Sequence, residues 1–297
     1  MNSRVFALLI CFLVQVLYGL NFTFAKTVIN DGYVKPFALV SLRVAGAAIL
    51  FWLISIFLPK EKIQRKDFLK FIVAAIFGVV VNMLLFLKGL ELTTPISASV
   101  IMTITPIIIL ILSSFFLGEK ITSLKIYGVI FGFSGGILLT MFGESSREGD
   151  NLPLGNLLVF INVVSYSIYI ILLKKLTQKY HPFTFIKWLF LFGFIMVLPF
   201  GYGDLQEVEW LDLTPYAIFS ILFVVVGATF GTYLLNPLAL RKLKASTVGI
   251  FIYLQPVIAA LFASIMGVDS IDLVKIIAML LIFGGVFLVT KPTPPSA

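Results

Sequence analysis

The chain has 297 residues, of which 60% are apolar, 14% aromatic and only 12% charged, with a formal net charge of +8. A soluble globular domain is nearer half apolar and a quarter charged, so this composition excludes an ordinary soluble enzyme, a disordered chain and a disulfide scaffold. The single cysteine (Cys11) excludes an intrachain disulfide and a thiolate metal cluster, and the single histidine (His181) excludes a multi-histidine metal site.

Apolar runs long enough to cross a bilayer as helices, about 20 residues each, recur along the whole chain. The first, 5–28, carries Gln15 and Asn21 in its interior. It is too long for the apolar region of a cleavable leader and lacks a small-x-small cleavage site, so it reads as a span. The next runs are 36–58, opening at Pro36; 68–87, behind a basic stretch; 95–117, interrupted by Pro106; and 123–142, with Gly128-x-x-x-Gly132. After an acidic stretch come 154–173, 183–201, 215–240 with Gly227-x-x-x-Gly231, 246–266 interrupted by Pro256, and 272–290. The Gly-x-x-x-Gly pairs permit close helix packing, expected within the subunit. Period-2 alternation bounded by turn signals does not recur, which sets aside a membrane β-barrel.

Charge orients the spans. With the N-terminus in the cytoplasm, inner segments hold 16 of the 22 Lys and Arg, from Arg4 through 60–70 to Arg241, Lys242 and Lys244. Outer segments hold Lys26, Lys35, Lys88, Arg147 and Lys275, and Arg43 lies within a span. This bias predicts ten crossings with both termini cytoplasmic. The positive charge is therefore a topology signal, and no nucleic-acid partner is expected.

The chain also repeats. Pro106 and Pro256 lie 150 positions apart, and Leu90, Ser114, Ile121, Lys125 and Ile126 recur at that offset as Leu240, Ser264, Ile271, Lys275 and Ile276. Phe133, Gly135, Leu138 and Thr140 answer Phe283, Gly285, Leu288 and Thr290. Nearer the start of each half the offset is 148: Tyr18 answers Tyr166 and Lys26 answers Lys174. Five crossings is an odd number, so the second copy is upside down relative to the first, the arrangement by which transporters exchange inward- and outward-facing states. The expected fold is an all-α integral membrane protein with ten transmembrane helices as two inverted five-helix repeats. The units are 1–142 and 154–297, joined by an outer linker at 143–153.

Tyr18-Gly19-Leu20-Asn21-Phe22, Pro36 followed by Leu42-Arg43, Pro106 ahead of Leu117-Gly118-Glu119-Lys120, and Asn236-Pro237-Leu238-Ala239-Leu240 stand in this order in two tandem units. In these features the chain resembles the bacterial EamA-type transporters of the drug/metabolite transporter superfamily, over essentially its whole length. The second copy departs from the pattern, with Gly267-Val268-Asp269 where a Gly-Glu pair is expected. The resemblance implies a ten-helix, exporter-like fold in the inner membrane, with a cavity between the halves and a small metabolite as substrate, such as an amino acid or similar amphipathic solute.

Polar groups inside a span are costly unless they face protein or water, so their faces locate a cavity. Tyr18 and Asn21 share a face of the first helix, and Tyr166 and Tyr169 the matching face of the sixth. Asn82 and Phe86 on the third helix correspond to Thr232 and Asn236 on the eighth; Thr103 and Pro106 on the fourth to Tyr253 and Pro256 on the ninth. These residues either line a substrate cavity or fasten helices to one another, and the two prolines are expected as helix kinks. Arg43, about 10 Å deep at 1.5 Å per residue, is a candidate anion contact; snorkelling or pairing with helix carbonyls is the other reading.

Several chemistries are disfavoured. Glu91 and Glu119 lie at helix ends and no Asp or Glu lies mid-span, so the proton antiport of small multidrug antiporters, which uses an intramembrane carboxylate, is not expected. A Walker Gly-Lys-Ser/Thr element is missing, and no cofactor or metal is called for. An intramembrane enzyme would need a catalytic constellation at depth that the spans do not supply. The rival within transport is a nucleotide-sugar or lipid-linked carrier of the same fold, for which more cavity cations than Arg43 and Lys26 are expected.

Overall fold

The structure, a computed structural model, describes residues 3–58, 61–93, 98, 101–141, 151–265 and 273–290. Of the expected linker only 151–153 fall among these, while Gly267-Val268-Asp269 and the side chains of Lys26 and Glu91 lie outside the described residues. All regular structure among the described residues is helical. Eight helices are long and apolar enough to cross a membrane, and Thr105–Leu117 and Ser123–Leu138 are shorter apolar helices at the fourth and fifth positions, giving ten spans.

The first helix is Ser3–Asn30 and the second Pro36–Ser55. The third runs from Phe68–Ala75 through a π-helical turn, Ile76–Val80, into Val81–Leu92. Thr105–Leu117 and Ser123–Met141 complete the first half. The second half repeats the plan with Leu152–Lys179, Pro182–Gln206, an eighth span broken by the π segment Phe223–Gly231, a ninth made of Ala245–Ile250, Phe251–Tyr253 and Leu254–Ile265, and Leu273–Thr290. Proline opens several helices at the first or second position, where its missing N–H is not needed.

The halves pack across each other with two-fold logic. The second helix pairs with the seventh, the fourth with the ninth and the fifth with the tenth. The third lies on the sixth as the eighth lies on the first, and the first meets the ninth as the sixth meets the fourth. Exchanging the halves maps this list onto itself. Apolar side chains gain little from leaving lipid for a protein interior, so close packing must hold such helices together. The fifth–tenth crossing shows how. A Cβ on Gly285 would stand 2.5 Å from the Gly128 carbonyl oxygen, and one on Gly128 would stand 2.7 Å from that of Gly285. The second Gly-x-x-x-Gly pair behaves differently: Gly227 and Gly231 lie in the π segment and meet side chains such as Leu17 rather than another helix backbone. Large apolar residues on the outer surface, among them Phe57, Phe115, Ile265 and Leu280, are exposed as lipid contact requires.

The first helix starts and the tenth ends at the same end of the bundle, where the Arg4 guanidinium donates to the Thr290 carbonyl at 2.7 Å. That end is tightly laced. Asp67 at the foot of the third span accepts from Lys179 and, at 2.7 Å, from the Tyr180 hydroxyl. Glu61 accepts from the His181 amide (3.0 Å) and the Thr184 hydroxyl (2.6 Å). Lys174 donates to the carbonyl of Leu240, the last residue of the eighth span, and at 2.8 Å to that of Leu243 in the turn beyond it. Gly118, at φ 64°, turns the chain out of the fourth helix, and Glu119 accepts from the Ala245 amide at 2.6 Å, from the Ser246 hydroxyl and from Lys125 at 3.2 Å. At the opposite end Lys35 bridges Glu207 in solvent, and that hydrogen bond holds its ammonium above the ordinary lysine range.

Glu119 and Lys125 are both buried. Glu119→Gln therefore leaves a buried ammonium without its counter-charge and is expected to lower stability by about 3 kcal/mol, the lower end for a broken buried pair. Transport per folded molecule is expected to persist. Melting temperature and solute flux on one preparation check both; abolished flux with unchanged melting would make Glu119 a coupling group instead.

Candidate functional site

Midway along the bundle, side chains from both halves meet in one polar and aromatic cluster. Arg43 on the second helix donates from Nε to the Thr229 hydroxyl at 2.8 Å, and that hydroxyl donates to the Val224 carbonyl at 2.7 Å. The Tyr18 hydroxyl of the first helix neighbours Thr232, Tyr166 and Arg43, and Tyr166 neighbours Asn236. Tyr166 and Tyr169 stand 6.0 Å apart, Tyr169 and Tyr233 5.7 Å, and Phe190 sits edge-on to Tyr233 at 4.8 Å between ring centroids. No carboxylate among the described residues pairs with Arg43. The side-chain oxygens of Asn21, Tyr169 and Asn236 are buried without a hydrogen-bond partner. Such orphans are rare in finished interiors, because each costs about 1–3 kcal/mol.

The backbone makes this cluster possible through the two π segments. A π turn breaks the regular carbonyl ladder and frees acceptors for side chains. In the third span the Phe77 carbonyl accepts from the Ser165 hydroxyl at 2.7 Å and the Gly78 carbonyl from the Tyr233 hydroxyl at 2.6 Å. In the eighth span Thr229 satisfies Val224, as above, and Thr232 donates to Ala228 at 2.7 Å. The same turns rotate Thr229, Thr232, Tyr233 and Asn236 so that all four reach the interior.

Of the residues singled out in the sequence, Tyr18, Arg43, Tyr166, Tyr169, Thr232 and Asn236 come together here, and Asn21 keeps an orphan oxygen on the first helix. Asn82 and Phe86 are half-buried, and Asn82 enters through its carbonyl, which accepts from the Asn162 amide at 2.6 Å. Thr103 and Tyr253 meet against the fifth helix instead: both approach Gly136, and the Tyr253 ring covers Gly132 with its hydroxyl unpartnered. Pro106 and Pro256 sit in the first turns of Thr105–Leu117 and Leu254–Ile265, just after a break in each span. The helices stop and restart there, so the missing N–H falls where a first turn needs none.

Sequence reasoning missed Thr229 and Tyr233. Thr229 is three before Thr232 and seven before Asn236, a helical face that was available to be read; Tyr233 was not, since its inward turn depends on the π segment. It also missed the Gln255–Gln15 amide pair at 2.8 Å, which ties the ninth helix to the first.

The model of the EamA-like transporter family matches this chain twice, at residues 5–141 and 153–291. An uncharacterized transporter of Archaeoglobus fulgidus is 31% identical over 274 residues, covering 92% of this chain and 95% of its own. The uncharacterized transporter YetK of Bacillus subtilis is 27% identical, covering 86% and 78%. A crystal structure at 17% identity superposes with a TM-score of 0.78 over 96% of each chain, a likeness of fold. The double match, the ten helical spans and the paired halves make this chain a multi-pass membrane protein that belongs to the EamA-like transporter family.

Proposed function

We propose that this transporter is a secondary carrier that moves a small amphipathic metabolite, an amino acid or a close chemical relative, by alternating access. Export across the inner membrane is the expected direction. The observation that carries this reading is the central cluster: a guanidinium with no carboxylate partner among the described residues, beside orphan amide and phenol oxygens and broad tyrosine faces. Arg43 is half-buried, and a charge withdrawn from water carries a desolvation cost unless it is compensated. A solute carboxylate offsets that cost at Arg43, the oxygens of Asn236 and Asn21 accept from an ammonium, and the tyrosine rings cover an apolar side chain. A nucleotide-sugar or lipid-linked substrate carries more negative charge than one guanidinium balances, which favours the smaller solute. Intramembrane catalysis finds no support in the cluster, to which the described residues contribute no carboxylate, histidine or thiol.

Melting of the purified protein across an amino-acid panel tests this reading: at least one zwitterion is expected to stabilise it, and a flat response to the whole panel overturns it. Asn236→Ala is expected to weaken that solute by roughly 1–3 kcal/mol with a smaller change in unliganded stability, because the lost partner is the solute. Lower stability with intact affinity would make Asn236 a helix fastener. Both termini are expected in the cytoplasm, on the strength of the basic bias. A reporter fluorescent only there, fused after Ala297, is expected to light up; a dark but well-expressed fusion inverts the topology.

A further inference from the structure

At the end of the bundle that carries Arg4 and Thr290, a cavity of about 150 Å³ opens between the first, fifth, ninth and tenth helices. Its polar lining is Arg4, Lys125, Lys242 and Lys244 with the hydroxyl-bearing Thr122 and Thr247, and no carboxylate among the described residues lines it. One water needs roughly 10–15 Å³ of such space, so a tetrahedral anion fits with room to spare. Lys244 lies close enough to Lys125 for the two ammonium groups to repel. Glu119 is shared between Lys125 and the start of the ninth helix. With Arg4 held by the Thr290 carbonyl and Lys125 by Glu119, the exposed Lys242 and Lys244 add further positive charge to the same polar space, and a net positive recess of this kind is stabilised by an anion.

The remaining wall is apolar, with Leu288 and Val289 from the tenth helix. Next to lining residues in sequence, Val5, Ile126 and Phe287 are exposed large apolar side chains. A charged recess at a helix end with an apolar wall, on helices that also carry exposed apolar side chains, matches an amphiphile with a phosphate head and acyl tails. We propose that this cavity is a binding site for a phosphate-bearing anion, occupied in the membrane by the headgroup of an anionic phospholipid. The site is separate from the central cluster and does not depend on the substrate assigned to it.

The test follows melting of the full-length protein in neutral detergent at constant ionic strength. Dioctanoyl phosphatidylglycerol, dioctanoyl phosphatidylcholine and sodium phosphate are titrated in turn. Wild type is compared with the Lys242→Gln/Lys244→Gln double variant, each against its own unliganded baseline. Both lysines are exposed, so folding is expected to survive. The phosphatidylglycerol is expected to raise the melting temperature and phosphatidylcholine is not, with a half-saturating concentration at least fivefold higher in the variant. Sodium phosphate acting as strongly, with the same loss in the variant, keeps the site and makes free phosphate its source. An equal response in wild type and variant, or no response to either phosphate compound beyond that to phosphatidylcholine, overturns the proposal.

Discussion

Arg43→Gln is expected to weaken binding of a carboxylate solute at least about thirtyfold while leaving the unliganded protein as stable as wild type or more so. The two signs have separate origins. Truncating one member of a buried charge pair costs about 2–5 kcal/mol of binding. Among the described residues the unliganded guanidinium has a hydrogen bond to Thr229 and no carboxylate partner. Arg43 is half-buried, and replacing a partly desolvated charge that has no carboxylate partner among the described residues by a neutral amide removes a desolvation cost that offsets one lost contact. If Arg43 instead serves to fasten the second helix to the eighth, the signs reverse: melting temperature falls and affinity in the folded fraction is kept. Melting and equilibrium binding on the same preparation separate the outcomes, and Arg43→Lys adds a third reading. Lysine keeps the charge but loses the planar fork, so partial rescue points to electrostatics and no rescue to two-pronged geometry.

Gly285→Val is expected to be the most damaging single change to stability. At the fifth–tenth crossing the added Cβ would stand 2.5 Å from the Gly128 carbonyl oxygen and 2.8 Å from the Gly132 nitrogen. Both are backbone atoms, so no rotamer change relieves the clash and the two helices must separate. Overpacking ordinarily costs about 1–3 kcal/mol. Here the upper end is the floor, because separation also undoes the neighbouring approach of Gly135 to the Ala278 carbonyl. Gly284→Val, one residue away with open space around its Cβ position, is expected to be nearly neutral and serves as the control. Melting temperatures within a degree or two of each other for the two variants would show that the seam yields more easily than its geometry implies.

Much of this protein is legible without coordinates. A bilayer imposes a minimum apolar length on a helix and tolerates little unpaired polarity, so composition, span length and the recurrence of Pro106 as Pro256 led directly to ten spans in two copies. The cluster's first-half members could also be read, because Tyr18 and Arg43 are polar groups within spans and such groups must face protein or water. Tyr166, Thr232 and Asn236 followed as their counterparts or as polar residues on the matching helices.

What the sequence could not decide was which polar faces meet. Thr103 and Tyr253 satisfy the same periodicity as Tyr18 and Tyr166, yet they close on Gly136 of the fifth helix. Two helical faces can be equally polar in one dimension, and only the packing of neighbours chooses which one borders the cluster. The π segments Ile76–Val80 and Phe223–Gly231 add to this, since a shifted hydrogen-bond register rotates everything beyond it and no residue pattern announced the shift. Tyr233 reaches the Gly78 carbonyl for that reason. Length and apolarity determined what crosses the membrane; tertiary packing decided what faces the interior, because the orientation of a helix about its own axis depends on its neighbours.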